Sequence, residues 1–260
     1  MIITTAGRTS NELIAKAKEL SMKYELPYKE RNGVSVESLQ QKHQDDVIVV
    51  GKDRIYIAPL HDNAKLFFHP NLAMVRAKRM FKGEEESLVK AAKLTSGMSF
   101  LDCTLGLASD SIIASIAVGD SGSVTGIEGN SLLFFLANEG LSSFTTGNSD
   151  FDQAMRRIHV VYGDHLSFLQ QAKTGSVDVI YFDPMFHETI DTSHGINSIR
   201  GQAVMAPLTA KVIDEAKRVA RQRIILKDHW QSERFTQLGF IQHKRKTSLF
   251  HYGTMELTKE

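Results

Sequence analysis

The stretch Ser99-Phe100-Leu101-Asp102-Cys103-Thr104-Leu105-Gly106-Leu107-Ala108-Ser109-Asp110 decides the fold of this chain. It begins as a short apolar run, which is typical of a buried β-strand. Small residues follow the strand, and a segment that we predict to be helical begins at residue 109. A strand, a tight turn and a helix in this order indicate the first unit of a doubly wound α/β sheet. Ligands bind such sheets at the carboxyl ends of the strands.

The same alternation continues along the chain from this stretch. Apolar runs that we predict to be strands cover residues 99–103, 123–128, 158–162, 177–182 and 223–227. Predicted helices lie between them at 109–118, 131–141, 165–172 and 206–221. This order predicts a parallel sheet with helices on both faces. Two further strands, 239–242 and 249–252, have no helix between them. We therefore predict a doubly wound, mostly parallel seven-stranded Rossmann-like sheet of the class I methyltransferase type, ending in an antiparallel hairpin.

Residues 1–70 predict a small α+β domain, which could bind RNA or substrate. A helix is expected from Asn11 to Tyr24, because its apolar residues recur at helical spacing. Residues 46–50 and 54–57 predict a hairpin, and 65–68 a further strand. The methyltransferase domain is expected to cover 71–260, with residues 71–97 as its helical lead-in.

The composition is that of an ordinary globular protein. Of 260 residues, 42% are hydrophobic and 23% are charged, and no stretch approaches the length of a membrane span. The N-terminal residues lack the basic-then-apolar order of a secretory signal, and the single cysteine, Cys103, cannot form an internal disulfide. We therefore expect a cytoplasmic protein.

The net charge of +1 excludes a global basic field, although basic residues cluster locally. Each cluster could contact nucleic acid or could be a solvated face, and for the third the solvated face is favoured because it ends a predicted helix. The three clusters are Arg76, Lys78, Arg79 and Lys82; His243, Lys244, Arg245 and Lys246; and Lys217, Arg218, Arg221 and Arg223.

Acidic residues follow the first three strands of the predicted sheet. Asp102 precedes a G-x-G-x-G-like loop in which only Gly106 is a glycine, with Thr104 and Ala108 in the outer glycine positions. Small residues let the backbone approach a ligand, and the free N–H groups of the next helix suit a carboxylate such as that of S-adenosylmethionine.

The other two acids fit the rest of that cofactor. Glu128 could accept both ribose hydroxyls, and Asp164 could receive the adenine amino group. Alternatively, Asp110 and Asp164 are helix N-caps, and a dinucleotide enzyme would also carry an acid at Glu128.

The fourth strand ends in Asp183-Pro184-Met185-Phe186, which matches the [D/N]-P-P-[F/Y] signature of amino methyltransferases except at Met185. The Asp183 carboxylate and the Pro184 carbonyl can accept both N–H groups of an exocyclic amine and direct its lone pair at a methyl donor. Phe186 can stack on the base. The alternative is a strand-ending turn followed by a core phenylalanine.

Other residues carry weaker signals. Cys103 lies in the cofactor loop, so a role as the nucleophile of a cytosine-C5 enzyme is disfavoured. Residues 227–230, Lys-Asp-His-Trp, could line a substrate mouth or form an exposed loop, and Trp230 could be a core anchor. The histidines show no metal-ligand spacing, so no metal is predicted; they include His187, His194, His229 and His251.

From Lys78 onward the chain resembles the bacterial family of small-subunit ribosomal RNA guanine-N2 methyltransferases, the J-type enzyme, and its uncharacterised Gram-positive relatives. The segments that carry the resemblance are Leu101–Asp110, Asp183–Phe186 and Ile224–Lys227. His187 stands where the family usually has a proline. The resemblance implies cofactor contacts from Ser109, Asp110, Glu128, Gly129, Asp164, His165 and Asp183.

Together these features predict transfer of a methyl group from S-adenosylmethionine to a base amine in RNA, most simply guanine N2 of 16S ribosomal RNA. Asp183, Pro184 and Phe186 are the predicted catalytic residues, and small-subunit RNA is the predicted partner, without membrane or metal. Two alternatives stay open: a methyltransferase of DNA bases or a small amine, and a non-catalytic RNA-binding or ribosome-assembly factor. A nicotinamide dehydrogenase explains Glu128 only.

Overall fold

The computed structural model describes residues 1–184, 207–246 and 248–257. The predictions for Met185, Phe186, His187 and His194 concern residues outside these ranges. The described chain forms two compact units, one of residues Met1–His69 and one of the residues from Pro70 onward.

The N-terminal unit contains a three-stranded sheet with two helices. Its elements are β1 (Ile2–Thr5), α1 (Asn11–Lys23), α2 (Val36–His43), β2 (Val47–Val50) and β3 (Ile55–Ala58). Strand β2 lies in the middle, parallel to β1 and antiparallel to β3, which confirms the predicted hairpin. Ser10 caps α1 by accepting a hydrogen bond from the Leu13 N–H. The strand predicted at 65–68 is wrong, since only an isolated bridge pairs Leu66 with Ile57.

The second unit alternates strands with helices. Its elements are α3 (Asn71–Met80), α4 (Ser87–Ala92), β4 (Ser99–Asp102), α5 (Ser109–Val118), β5 (Ser123–Glu128), α6 (Ser131–Ser143), α7 (Ser149–Arg156), β6 (Ile158–Tyr162), α8 (His165–Gln171), β7 (Val177–Phe182), α9 (Ala210–Val219), β8 (Ala220–His229), α10 (Arg234–Gln237), β9 (Ile241–His243) and β10 (Phe250–Glu256). The predicted helical lead-in consists of the two helices α3 and α4, with a turn between them at Gly83, whose φ is +82°.

The seven strands of this unit lie in the order β6-β5-β4-β7-β8-β10-β9. Strands β4 to β8 pair in parallel, and β10 pairs antiparallel with both β8 and β9. The predicted mostly parallel seven-stranded sheet with an antiparallel C-terminal pair is therefore confirmed.

The apolar strands are buried because helices cover both faces of the sheet. Val179 to Phe182 in β7 and Ile224 to Leu226 in β8 have no exposed surface, as expected of a central parallel strand. Strand β4 separates the two halves of the parallel sheet: β5 and β6 lie on one side, and β7 and β8 on the other. The carboxyl end of β4 is thus the topological switch point, where a crevice for ligands forms.

Candidate active site

The loop that follows β4 lies against β5. The Leu105 N–H donates to the Ile127 carbonyl at 3.1 Å, and the Gly106 N–H donates to the Glu128 carboxylate at 2.8 Å. Gly106 and Ala108 have φ values of +55° and +64°. Ala108 therefore adopts the left-handed conformation for which glycine is the usual residue, and the loop keeps a glycine-like path without that glycine.

Asp102 is buried at the start of this loop. Its carboxylate accepts hydrogen bonds from the Thr104 N–H at 3.0 Å and from the Ser111 hydroxyl at 2.7 Å. Burial raises the pKa of Asp102 to about 7, although these hydrogen bonds oppose the shift. Through these two hydrogen bonds, the Asp102 side chain connects the loop with the first turn of α5.

Glu128 is the last residue of β5, and it is hydrogen-bonded to the loop that follows β4. Its carboxylate accepts from the Gly106 N–H and from the Asn130 N–H, each at 2.8 Å, and the Gly129 N–H also bonds to it. Burial raises the pKa of Glu128, and these three N–H groups partly offset the effect. A carboxylate oxygen has two lone pairs, so hydroxyl donors could still be accepted.

The N-terminus of α5 fits the carboxylate of S-adenosylmethionine. No side chain caps this helix, because Ala108 occupies the N-cap position. The Ser109 hydroxyl is buried and has no hydrogen-bond partner among the described residues. A buried hydroxyl without a partner is costly, and beside an uncapped helix N-terminus it suits an anionic group.

Asp110 is buried among cations. Its carboxylate contacts Arg76 Nη1 at 2.5 Å, Lys227 Nζ at 2.9 Å and the Tyr181 hydroxyl at 2.8 Å. Burial raises the pKa of Asp110, but Lys227 and Arg76 outweigh it and hold the pKa well below its usual range. Asp110 does not act as an N-cap here, and its two oxygens already have three donors.

Asp183 is the first residue after β7, and it lies beside the loop that follows β4. Its N–H donates to the Thr104 hydroxyl at 2.6 Å, and its carboxylate contacts Lys227 Nζ at 2.6 Å. The carboxylate side chain is about a quarter exposed, whereas Pro184 is buried. Burial raises the pKa of Asp183, while Lys227 acts in the opposite direction. The structure thus brings the predicted Asp183, Thr104 and Asp102 together.

Asp164 and His165 lie beyond β6, at the start of α8. Asp164 is the N-cap, since its Oδ1 accepts from the Ser167 N–H at 2.8 Å. That geometry matches the capping alternative, and a contact with adenine stays a prediction. His165 is buried with its ring edge-on to Phe182 at 6.0 Å, and burial lowers the pKa of His165.

From the sequence, Lys227 was considered only as part of a possible substrate mouth and was not placed beside Asp183, and Arg76 was not assigned to the site. Lys227 could have been noticed as the lysine that directly follows the apolar run Ile224-Ile225-Leu226. Arg76 was grouped with a basic surface cluster, but its guanidinium contacts Asp110 and Glu86. Trp230 is 46% exposed, so it is not a core anchor. Cys103 is buried, as expected of a small strand residue.

The described residues contain no candidate metal site and no candidate membrane-spanning helix. Within residues 1–184, 207–246 and 248–257, no group of three or more histidine, cysteine, aspartate or glutamate side chains could hold a metal ion. In the same ranges, no helix has the length and apolar character needed to cross a bilayer.

The strand order and the acidic strand ends define a class I S-adenosylmethionine-dependent methyltransferase. A family model described as "Putative SAM-dependent methyltransferase" matches residues 34–248, and the chain belongs to this family. A SAM-dependent methyltransferase from Neisseria gonorrhoeae has a similar fold, with a TM-score of 0.64 at 14% identity, over 99% of this chain and 96% of that one. S-adenosylmethionine is the cofactor of this family.

Two kinds of relative are similar in sequence. An uncharacterised protein of Bacillus subtilis, YpiP, is 51% identical over 98% of this chain and 99% of its own length. Proteins named ribosomal RNA small subunit methyltransferase J are more distant. One from Legionella pneumophila is 26% identical over 72% of this chain and 68% of its own length. One from Acinetobacter baylyi is 33% identical over 40% of this chain and 37% of its own length.

Proposed function

We propose that this methyltransferase acts on the exocyclic N2 amine of a guanine in 16S ribosomal RNA. The observation that carries the proposal is the position of Asp183, a carboxylate at the end of β7 beside the cofactor loop of β4. An amine placed there would lie next to the methyl donor. The distant relatives named ribosomal RNA small subunit methyltransferase J support RNA as the substrate.

The chemistry follows from the two acceptors in this motif. The Asp183 carboxylate and the Pro184 carbonyl would each accept one N–H of the amine, so that its lone pair points at the methyl group. S-adenosylmethionine bound there would supply the electrophilic methyl group of its sulfonium and keep the S–C electron pair, and the Asp183 carboxylate would accept the surplus proton of the amine. Phe186, which lies outside the described residues, would stack on the base.

Exposed basic groups on the second unit provide candidate contacts for RNA phosphates. Lys78, Arg79 and Lys82 are exposed, as is Phe81, and the segment 243–246 is exposed as well. Lysine and arginine on such surfaces neutralise phosphates and make affinity depend on salt. We propose that these segments and a separate N-terminal domain of residues 1–70 hold the RNA.

The test uses small ribosomal subunits and naked 16S RNA from cells that lack this gene. Purified protein and S-adenosylmethionine are added, and the digested RNA is analysed by nucleoside mass spectrometry. N2-methylguanosine is expected from wild type, with a loss of about 100-fold or more in the Asp183→Asn variant, in line with the usual contribution of a positioned acceptor. The control is Asp214→Asn, the same change at an exposed carboxylate.

The other outcomes separate the alternatives. Methylation of DNA or of a small amine, but not of RNA, would reject the RNA substrate. Failure to bind S-adenosylhomocysteine by calorimetry would indicate a non-catalytic factor. Undiminished methylation by Asp183→Asn would reject the role of the carboxylate.

A further inference from the structure

Lys227 occupies a position that the proposed function does not yet use. It lies near the end of β8, next to β7, and its side chain is one-fifth exposed. Its Nζ lies 2.6 Å from Asp183 Oδ2 and 2.9 Å from Asp110 Oδ2. One ammonium thus links the helix that follows the cofactor loop to the carboxylate at the end of β7.

This contact bears on whether Asp183 can accept a hydrogen bond. A carboxylate accepts through both oxygens when ionised, but carries a donor O–H when protonated. Burial favours the protonated form, and an opposite charge within hydrogen-bond distance favours the ionised one. Lys227 is the cation that contacts Asp183 among the described residues. Without Lys227, Asp183 would be protonated over a wider pH range and would then present an O–H donor in place of one acceptor oxygen.

We propose that Lys227 is a positioning residue, which holds the Asp183 carboxylate ionised and turned towards the amine while Asp110 fixes the ammonium. The proposal rests on the proposed function, since Asp183 is the group through which Lys227 acts. Lys227 itself touches neither cofactor nor substrate in this scheme. Its role is therefore distinct from that of Asp183. Loss of Lys227 should change the pH dependence of the reaction rather than remove the hydrogen-bond acceptor.

The surrounding charged groups leave this role to Lys227. Arg76 on α3 is engaged by Asp110 and by Glu86. Asp110 on α5 and Asp228 on β8 favour protonation of Asp183, whereas the Tyr181 hydroxyl on β7 is neutral and adds no charge. Asp183 in turn raises the pKa of Asp102 on β4. Tyr252 on β10 pairs with Lys227 across the sheet and is buried. Carboxylates on two sides hold the Lys227 ammonium charged, and the net effect keeps its pKa above the usual value despite burial.

The first test compares Lys227→Met with Lys227→Arg. Methionine keeps most of the volume without the charge, whereas arginine keeps the charge. In Lys227→Met the acid limb of the kcat–pH profile is expected to move up by about one pH unit or more, as when a carboxylate loses a close cation. The KM for S-adenosylmethionine should change by less than about threefold, and Lys227→Arg should keep the wild-type limb. A pH-independent loss of kcat in Lys227→Met would overturn the proposal.

The matched control is Lys90→Met, which removes a lysine from an exposed ion pair with Glu85. Its pH profile should coincide with that of wild type. If the acid limb of the kcat–pH profile moved equally in Lys90→Met and Lys227→Met, the shift would not be a local effect of Lys227.

The second test needs no methyl-transfer substrate. Aspartate labelled with ¹³C at the carboxyl carbon is titrated by NMR, and Asp183 is assigned by the signal that is lost in Asp183→Asn. In wild type Asp183 should be ionised at pH 7.5, and in Lys227→Met its midpoint should rise by about one pH unit or more. Protonated Asp183 in wild type at pH 7.5 would overturn the proposal even if Lys227→Met did not fold. If no RNA were methylated, this titration would still decide the role of Lys227.

Discussion

Asp102 shows how one buried acid affects the whole domain. In the folded state its pKa is about 7 because burial disfavours the charge, whereas in the unfolded chain it is near 3.9. Between these values the folded state binds more protons, so the free energy of unfolding falls as the pH rises. We expect Asp102→Asn, which cannot ionise, to lack this decline. The Tm of the variant minus that of wild type should therefore increase from pH 5 to pH 8.

Asp214→Asn serves as the control for this experiment, because Asp214 is 74% exposed. Its Tm difference from wild type should stay nearly constant over the same range. Parallel curves for Asp102→Asn and wild type would show that Asp102 is already ionised at pH 5.

The sequence indicated which acidic residues end the strands, but it did not indicate which residues form ion pairs with them. Apolar runs locate the ends of the strands, so the sequence could place Asp102, Glu128 and Asp183 on neighbouring strands. It could not pair Asp110 with Arg76 or Lys227, because those contacts depend on how α3 and β8 pack around α5. No local pattern records a contact between residues so far apart in the chain.

Some helices and strands could be predicted from the sequence, and others could not. The long alternation of short apolar segments with helical segments predicted strands β4 to β8 and their parallel pairing. The elements β1, α2 and α7 were not predicted. Each is short, with four residues in β1 and eight in each helix. Such segments depend on tertiary packing more than on their own propensity.

The loop that follows β4 packs against β5, where Leu105 lies next to Gly126. A Cβ on Gly126 would lie 2.3 Å from Leu105 Cδ1, and Leu105 is buried. Gly126→Ala should therefore push the loop off β5, at a cost of about 1–3 kcal/mol in stability. We expect the Kd for S-adenosylhomocysteine to rise by about tenfold or more, which calorimetry can measure.

Gly7→Ala is the matched control, because a Cβ there meets no atom within 4 Å. The double variant Gly126→Ala/Leu105→Ala should recover part of the lost affinity by removing the clash, as a double-mutant cycle would show. Unchanged affinity in Gly126→Ala would mean that the loop does not need Leu105 against β5 to bind the cofactor.

The residues of the candidate cofactor site all belong to the second unit. A ligand that binds only the folded state stabilises it by about 2.7 kcal/mol at one hundred times its Kd. S-adenosylhomocysteine at that concentration should raise the Tm of the second unit by about 5–10 °C. The single tryptophan, Trp230, lies in this unit, so its fluorescence follows the transition.

Hydrogen exchange in β1 and β2 reports on the N-terminal unit, because both strands are fully buried there. If residues 1–70 form a domain of their own, as we propose, their protection should not change when S-adenosylhomocysteine is added, while the Trp230 transition moves. At the same concentration of S-adenosylhomocysteine, the Tm followed by Trp230 fluorescence should rise less in Gly126→Ala, because a smaller fraction of this variant binds the ligand. Equal stabilisation of both units would show that they unfold as one cooperative body. The N-terminal residues would then contribute to the stability of the methyltransferase domain as well as to any contact with RNA.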